Sequence, residues 1–163
     1  TDGHAWPVFE PHHYLKLPRM VAARYFIGLV DGEPVAHVAI SPRLEIGGVR
    51  ACRLVIMPEW QGAGIGLRFM EAVCDHELAG RGRYGDRVKR VYFHTSHPGL
   101  NLALARSGRW RRVSANLFGA DKAKAAASIR AGSKSEVIKA TSGGWGGHFR
   151  AVTGWRLDKE AQP

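Results

Sequence analysis

Between Arg50 and Gly66 the chain reads Arg-Ala-Cys-Arg-Leu-Val-Ile-Met-Pro-Glu-Trp-Gln-Gly-Ala-Gly-Ile-Gly, and no other stretch limits its fold so sharply. A strand from Arg53 to Met57, apolar after its first residue, stops at Pro58 and leads into a glycine-rich turn, Gln61 to Gly66, which opens an amphipathic helix. Glycines let the backbone take positive φ and come close to a ligand. The helix start behind them presents unpaired N–H groups and a partial positive charge. Strand, loop and helix in that order build an anion site suited to a pyrophosphate, and so point to a phosphate-bearing cofactor.

Spacing narrows the choice. A P-loop requires Gly-Lys-Ser/Thr after four intervening residues, and this loop has no lysine. A dinucleotide fingerprint requires a third glycine where Leu67 stands and an acidic residue about 20 positions on. What the chain has instead is Val55, Pro58, Gln61, Gly64 and Gly66, a Gln-x-x-Gly-x-Gly after a Val-x-x-Pro strand end. That pattern resembles the coenzyme A loop of the GCN5-related N-acetyltransferase (GNAT) superfamily; the bland alternative is an ordinary strand-to-helix turn.

At 163 residues the chain suits one domain with a sizeable core, and 45% hydrophobic content with five tryptophans argues against disorder. No apolar run approaches the roughly 20 residues of a membrane span, and no charged-then-apolar leader opens the sequence. Cys52 and Cys74, inside a predicted strand and helix, read as buried thiols of a reducing compartment. A cytoplasmic protein is expected. Net charge is +10 and unevenly placed. Arg81, Arg83, Arg87, Lys89, Arg90, Arg106, Arg109, Arg111 and Arg112 face Asp86 alone between positions 81 and 112, and Lys122, Lys124, Arg130, Lys134 and Lys139 follow. Such a field favours polyanions, either the cofactor's own phosphates or an acidic or nucleic-acid partner.

Along the chain, residues 5–23 mix aromatic residues with three prolines, predicting short helical turns. Arg24–Val30 and Pro34–Ile40 form a hairpin about Asp31-Gly32. Pro42–Gly48 reads as loop, Val49–Met57 as the central strand and Ile65–Ala79 as a helix with Leu67, Met70, Val73, Cys74 and Leu78 on one face. Val88–Thr95 is the next strand, and Pro98–Ser107 a short helix that Ser96 would cap. Trp110–Phe118 is a strand, 119–141 a helical excursion, Ser142–Gly147 a glycine-rich turn and His148–Leu157 the last strand. The expected fold is a single mixed α/β (α+β) domain over 1–163. It has a mainly antiparallel twisted sheet, helices on both faces, a central strand–glycine loop–helix crossover and a surface insertion at 119–146.

This order is similar to the GNAT fold over most of the chain, with an abbreviated first strand and first helix and a long insertion before the last strand. A narrower resemblance rests on His12-His13-Tyr14-Leu15, on Arg53-Leu-Val followed by Pro58 and Gln61-Gly62, on Thr95-Ser96-His97-Pro98 and on the Gly-Arg-Trp ending at Trp110. These look like a bacterial and bacteriophage branch of the superfamily, also found fused to ABC-type ATPases and distantly similar to the phage Mom-like DNA-modifying enzymes.

The resemblance implies attack of an amine on the thioester of acetyl-CoA. It implies that N–H groups of Gln61, Gly62, Ala63, Gly64, Ile65, Gly66 and Leu67 hold the pyrophosphate. The backbones of Leu54, Val55 and Ile56 would pair with the pantetheine arm, with the Ile56 N–H as oxyanion donor. Many relatives place an acidic tyrosine in the helix after the fifth strand; Asn101-Leu-Ala-Leu-Ala-Arg-Ser-Gly has none, which leaves the acid open. Ser96, His94 and Tyr92 share a strand face by period 2, and Ser96 is the first choice to contact thiol or substrate, with helix capping its other reading. Histidine is the residue type suited to base chemistry near neutral pH, so His94 and His97 read either as bases or as packed or solvent-facing side chains. Glu59 is either a base or a solvated turn carboxylate. His13 and Tyr14 either hold the acceptor or anchor the segment over it. A mid-strand Arg53 must be paired or wet, and is assigned to a polar cleft where it binds an anionic acceptor. No His-x-x-x-His or paired-cysteine spacing occurs, so no structural metal is expected. Three functions stand open: an acetyl-CoA-dependent N-acyltransferase, a nucleic-acid base modifier on the same scaffold, and a non-catalytic basic module.

Overall fold

The computed structural model describes residues 3–15, 19–20, 22–116 and 151–158. Prolines near the start allow only short helical pieces. A 3-10 turn at Gly3–Ala5 leads to α1 (Trp6–Phe9) and a second 3-10 turn at Glu10–His12, the last two with proline in their first turn. Trp6 and Phe9 are buried in a small cluster with Val55, backed by Ala5, Ile27 and Met57. This segment therefore covers one face of the first strands.

β1 (Arg24–Val30) and β2 (Glu33–Arg43) form the expected hairpin. Its turn residues Asp31 and Gly32 both take positive φ, 50° and 85°, as a type I′ turn requires. β3 (Gly48–Ile56) pairs antiparallel with β2, and α2 (Ile65–Leu78) carries the chain over to β4 (Arg90–Thr95), parallel to β3. α3 (Pro98–Arg106), β5 (Trp110–Asn116) and β6 (Val152–Asp158) complete a six-stranded sheet of order β1-β2-β3-β4-β6-β5. Among the described strands only the β3–β4 pair is parallel, as a helical crossover demands. The mixed, mainly antiparallel sheet with helices on both faces is the fold expected from the sequence.

The main core lies between sheet and α2. Met70, Val73, Cys74 and Leu78 of α2 meet Val38, Ile40, Val49, Val91, Phe93 and Trp155, and Leu104 of α3 joins them. Leu67 is only partly buried against this core. Arg109 bonds Asp75 (2.6 Å) and Glu71 (3.3 Å), while the Trp110 Nε1–H donates to Glu71 (2.9 Å), tying the start of β5 to α2.

Several boundaries differ from expectation. The Pro42–Gly48 loop shrinks to a 3-10 turn, Leu44–Ile46, because β2 continues through Pro42 opposite Val49 and loses only that one N–H. The last strand starts at Val152; residues 148–150, Phe118 and the expected 119–146 insertion lie outside the described residues. Ser96 does not cap α3. Its N-cap is His97, whose Nδ1 accepts from the Leu100 N–H at 3.1 Å, since the extended backbone falls at 97. Both cysteines are free thiols, but only Cys74 is buried; Cys52 is half-buried because it borders the cleft described below. Among the described residues no helix is long and apolar enough to cross a membrane.

Candidate active site

β3 and β4 do not stay together. Their pairing covers only Gly48–Ala51 against Arg90–Phe93, although β3 runs on to Ile56 and β4 to Thr95. A cleft of about 570 Å³ opens beside the split, lined among others by His13, Tyr14, Arg50, Arg53, His94 and Ser96. The fold thus brings together most of the expected side chains from three separate stretches of sequence. Glu59 is the exception: it is exposed on the 3-10 turn Pro58–Trp60 and does not line the cleft.

Beyond the β3 end of the cleft the chain presents main chain. The Met57 N–H donates to the Val35 carbonyl of β2 at 2.9 Å. Successive strand amides point to opposite sides, so the Ile56 N–H points away from β2, on the cleft side. Past the strand, Gly62 and Gly64 take left-handed φ of 85° and 73° while Ala63 between them does not. Alternating handedness of this kind turns successive N–H groups inward as an anion nest. Gly64 is the N-cap of α2, no side chain caps that helix, and its first turn has no carboxylate. A Cβ at Gly62 or Gly64 would meet nothing within 4 Å, so both positions border open space. Gly66 has another reason: a Cβ there would sit 3.1 Å from Ile56 Cγ1, so its absence lets α2 seat on β3. The Gln61 side chain donates from Nε2 to the Ile56 carbonyl (2.9 Å) and buckles the loop to the strand end, a role its spacing alone did not reveal. These residues fit a pyrophosphate-bearing arm: uncapped N–H groups, no competing negative charge, and space where side chains are missing.

Within the cleft it presents side chains. The Ser96 hydroxyl donates to Tyr14 Oη at 3.4 Å, joining residues 82 apart in sequence. His13 directs Nδ1 onto the Leu15 backbone, 2.7 Å from the carbonyl, and lies 4.8 Å from the Tyr14 ring, centre to centre. It therefore steadies Tyr14 from behind. His94 stands opposite Gly154 of β6, where a Cβ would come within 3.1 Å of its Nε2. His94 keeps a solvent-exposed edge; partial desolvation lowers its pKa, and the Arg50 and Arg43 cations push the same way, favouring the neutral imidazole.

Two arginines face this cleft, and among its described lining residues none is Asp or Glu. Arg50 Nε is buried with no hydrogen-bond partner among the described residues. Arg53 sits in left-handed backbone (φ 54°), a conformation that costs a non-glycine residue about 1–2 kcal/mol. Its guanidinium lies 6.0 Å over the Trp6 ring, and burial lowers its pKa. Neither the positive φ of Arg53 nor the place of Arg50 in the cleft has a signal in the sequence. The arginine run is less free than its composition implied, because Arg109 and Arg111 reach Asp75, Glu71 and Asp158, which lie outside residues 81–112. Among the described residues no group of three His, Cys, Asp or Glu side chains is placed to hold a metal ion.

The model of the acetyltransferase (GNAT) family matches residues 3–101, from the first turn to α3 and across both walls of the cleft. The chain belongs to that family. Its fold is similar to a ribosomal-protein-S18-alanine N-acetyltransferase from Escherichia coli, at TM-score 0.60 and 12% identity over 96% of this chain and 86% of that one. It is also similar to a variant of the spermidine N-acetyltransferase SpeG from Vibrio cholerae (0.55, 11%, covering 85% and 66%). A GNAT family acetyltransferase from Elizabethkingia anophelis with acetyl-CoA bound is a third (0.53, 10%, covering 84% and 76%). At such identities the likeness concerns fold. No curated protein matches the sequence. GNAT proteins use acetyl-CoA as the acetyl donor.

Proposed function

We propose that this protein transfers an acetyl group from acetyl-CoA to an amine carried by an anionic acceptor. The observation that carries the reading is the parting of β3 from β4 directly ahead of an uncapped, carboxylate-free glycine nest. When bound, the cofactor supplies a thioester whose C–S bond breaks as the amine nitrogen bonds the carbonyl carbon, the amine giving up a proton and the sulfur gaining one.

The chain's own residues divide the remaining work. The Gln61 N–H is taken up by the Pro58 carbonyl at 3.2 Å, so the main-chain N–H groups of Gly62 to Leu67 hold the pyrophosphate, and the strand edge Leu54–Ile56 aligns the pantetheine arm, with the Ile56 N–H for the developing oxyanion. His94 takes the proton that the amine nitrogen gives up on attack, its lowered pKa favouring the neutral imidazole beforehand. The Ser96–Tyr14 hydroxyl pair supplies a proton at the sulfur, in the role for which α3 offers no tyrosine. Glu59 has no part in this scheme.

Arg50 and Arg53 set the acceptor class. A cleft with two guanidinium groups and no carboxylate among its described lining residues repels polyamines and attracts a carboxylate or phosphate beside the amine. A nucleic acid is one such acceptor, and the net charge of +10 favours it; its binding would weaken steeply with salt. The test is thiol release from acetyl-CoA with paired amines: ethanolamine against phosphoethanolamine, and spermidine against short oligonucleotides. Faster release with the anionic members is expected. Preference for spermidine would contradict the acceptor assignment, and no acetyl-CoA binding at all would contradict the whole.

A further inference from the structure

Mid-way along β3 the ladder slips. Ala39 of β2 faces Cys52 but His37 faces Val55, so Arg53 and Leu54 together oppose Val38. This is a β-bulge, and it shifts the register by one residue, turning every later side chain to the other face. Without it Val55 would lie opposite Ala36 and face α2. With it, Val55 enters the Trp6–Phe9 cluster and Ile56 faces Gly66. The bulge therefore decides which side of Leu54–Ile56 meets the cleft.

Where a bulge interrupts the ladder, a side chain can supply a main-chain group with a partner. For Arg53 that partner is His37, whose Nδ1 lies 2.9 Å from the Arg53 carbonyl oxygen. A carbonyl only accepts, so Nδ1 carries the proton and Nε2 is a bare lone pair. The ring is fully buried, with Trp6 and Phe9 at 5.1 Å and Tyr25 at 5.6 Å between centres, and Nε2 has no hydrogen-bond partner among the described residues. The imidazole thus offers one donor, and that donor goes to the bulge. Nothing about its aromatic surroundings otherwise calls for a polar side chain; a leucine would suit them.

We infer that His37 is a positioning residue. From behind the strand, its Nδ1–H pins the Arg53 carbonyl, locks the bulge, presents the Leu54–Ile56 edge to the cofactor and sends the Arg53 guanidinium into the acceptor cleft. His37 touches neither reactant. The inference rests on the acetyl-CoA reading for its consequence, but not for the bulge itself.

Three variants separate donor from filler. In His37→Asn an amide N–H takes the place of Nδ1–H; in His37→Gln the amide stands where Nε2 was and points elsewhere; in His37→Leu there is volume and no donor. Amide 1H–15N spectra of the unliganded proteins, with calorimetric titration by acetyl-CoA, provide the readout. His37→Asn is expected to keep the wild-type amide positions of Leu54–Ile56 and to bind within about threefold of wild type. His37→Leu and His37→Gln are expected to move those amides and to weaken binding about tenfold or more, with unchanged circular dichroism. If His37→Leu fails to fold, the Asn–Gln contrast decides. Wild-type amides and affinity in His37→Leu or His37→Gln, or equal losses in Asn and Gln, would overturn the inference. Wild-type protein that ignores acetyl-CoA would remove the cofactor reading alone, because the amide positions still report on the bulge.

Discussion

The two walls of the cleft are built in opposite ways. The β3 side offers backbone: a bulge and a strand edge, with the glycine amides beyond the strand's end. The β4 wall offers functional groups: the His94 imidazole and the Ser96–Tyr14 hydroxyl pair, brought together from residues up to 82 apart. The backbone wall suits a cofactor that is always the same, since its pyrophosphate and amide-bearing arm can be read by amides alone. The side-chain wall, with Arg50 and Arg53 reaching in beside it, is where a family member can change acceptor without disturbing the donor site.

The contrast predicts that changes to one wall strike acetyl-CoA affinity and changes to the other strike acceptor use. The largest effect belongs to Gly64→Glu, which puts a carboxylate into the nest and a side chain at φ 73°. Acetyl-CoA affinity should fall about 100-fold or more by calorimetry, while melting shifts only slightly because the backbone strain is about 1 kcal/mol. Arg50→Met should raise the KM for an anionic amine acceptor about tenfold and leave acetyl-CoA affinity alone, read from steady-state kinetics. Loss of acetyl-CoA affinity instead would erase the division between the walls. Ser96→Ala and Tyr14→Phe should each lower kcat several-fold, and the double variant should be little worse than either, because the two hydroxyls work as one pair. Additive losses would place them in separate roles.

The smallest effect concerns pH. Burial lowers the His37 pKa below 6.5. Above about pH 6.5 imidazole is neutral in both folded and unfolded chains; below it the unfolded chain takes the proton first, so this contribution to stability is lost as pH falls towards the folded pKa. Subtracting the stability profile of His37→Asn from that of the wild type should isolate a slope in that window, because the other titrating groups are common to both. A flat difference would mean that His37 is not shielded from protons.

The same division explains what could be read from the sequence. Backbone shape leaves its mark in the residues that make it, so Pro58, Gly62, Gly64 and Gly66 announced the strand end and the turn that opens α2, and Asp31-Gly32 announced the hairpin. The strand ends were less legible. β2 is buried from Val35 to Ser41 without alternation, so nothing in its pattern marked its continuation through Pro42. The Arg53 bulge was hidden for another reason: left-handed backbone is signposted when glycine occupies it, and arginine gives no such sign. Side-chain assembly depends on distant partners, so a lone Ser96 read equally well as a cap until the fold gave that role to His97 and set Ser96 against Tyr14. The acidic partners of Arg109 and Arg111 were likewise beyond reach of any local count of charge.

The most direct measurement is an acetyl-CoA titration followed residue by residue in 1H–15N spectra. The account predicts that the largest shifts fall on the amides of Leu54, Val55 and Ile56 and on Gly62 through Leu67, with smaller changes at Ser96 and His94. Shifts centred elsewhere, for example on the arginine-lined depression formed by Arg109, Arg111, Arg112 and Arg156, with the glycine loop unmoved, would contradict it.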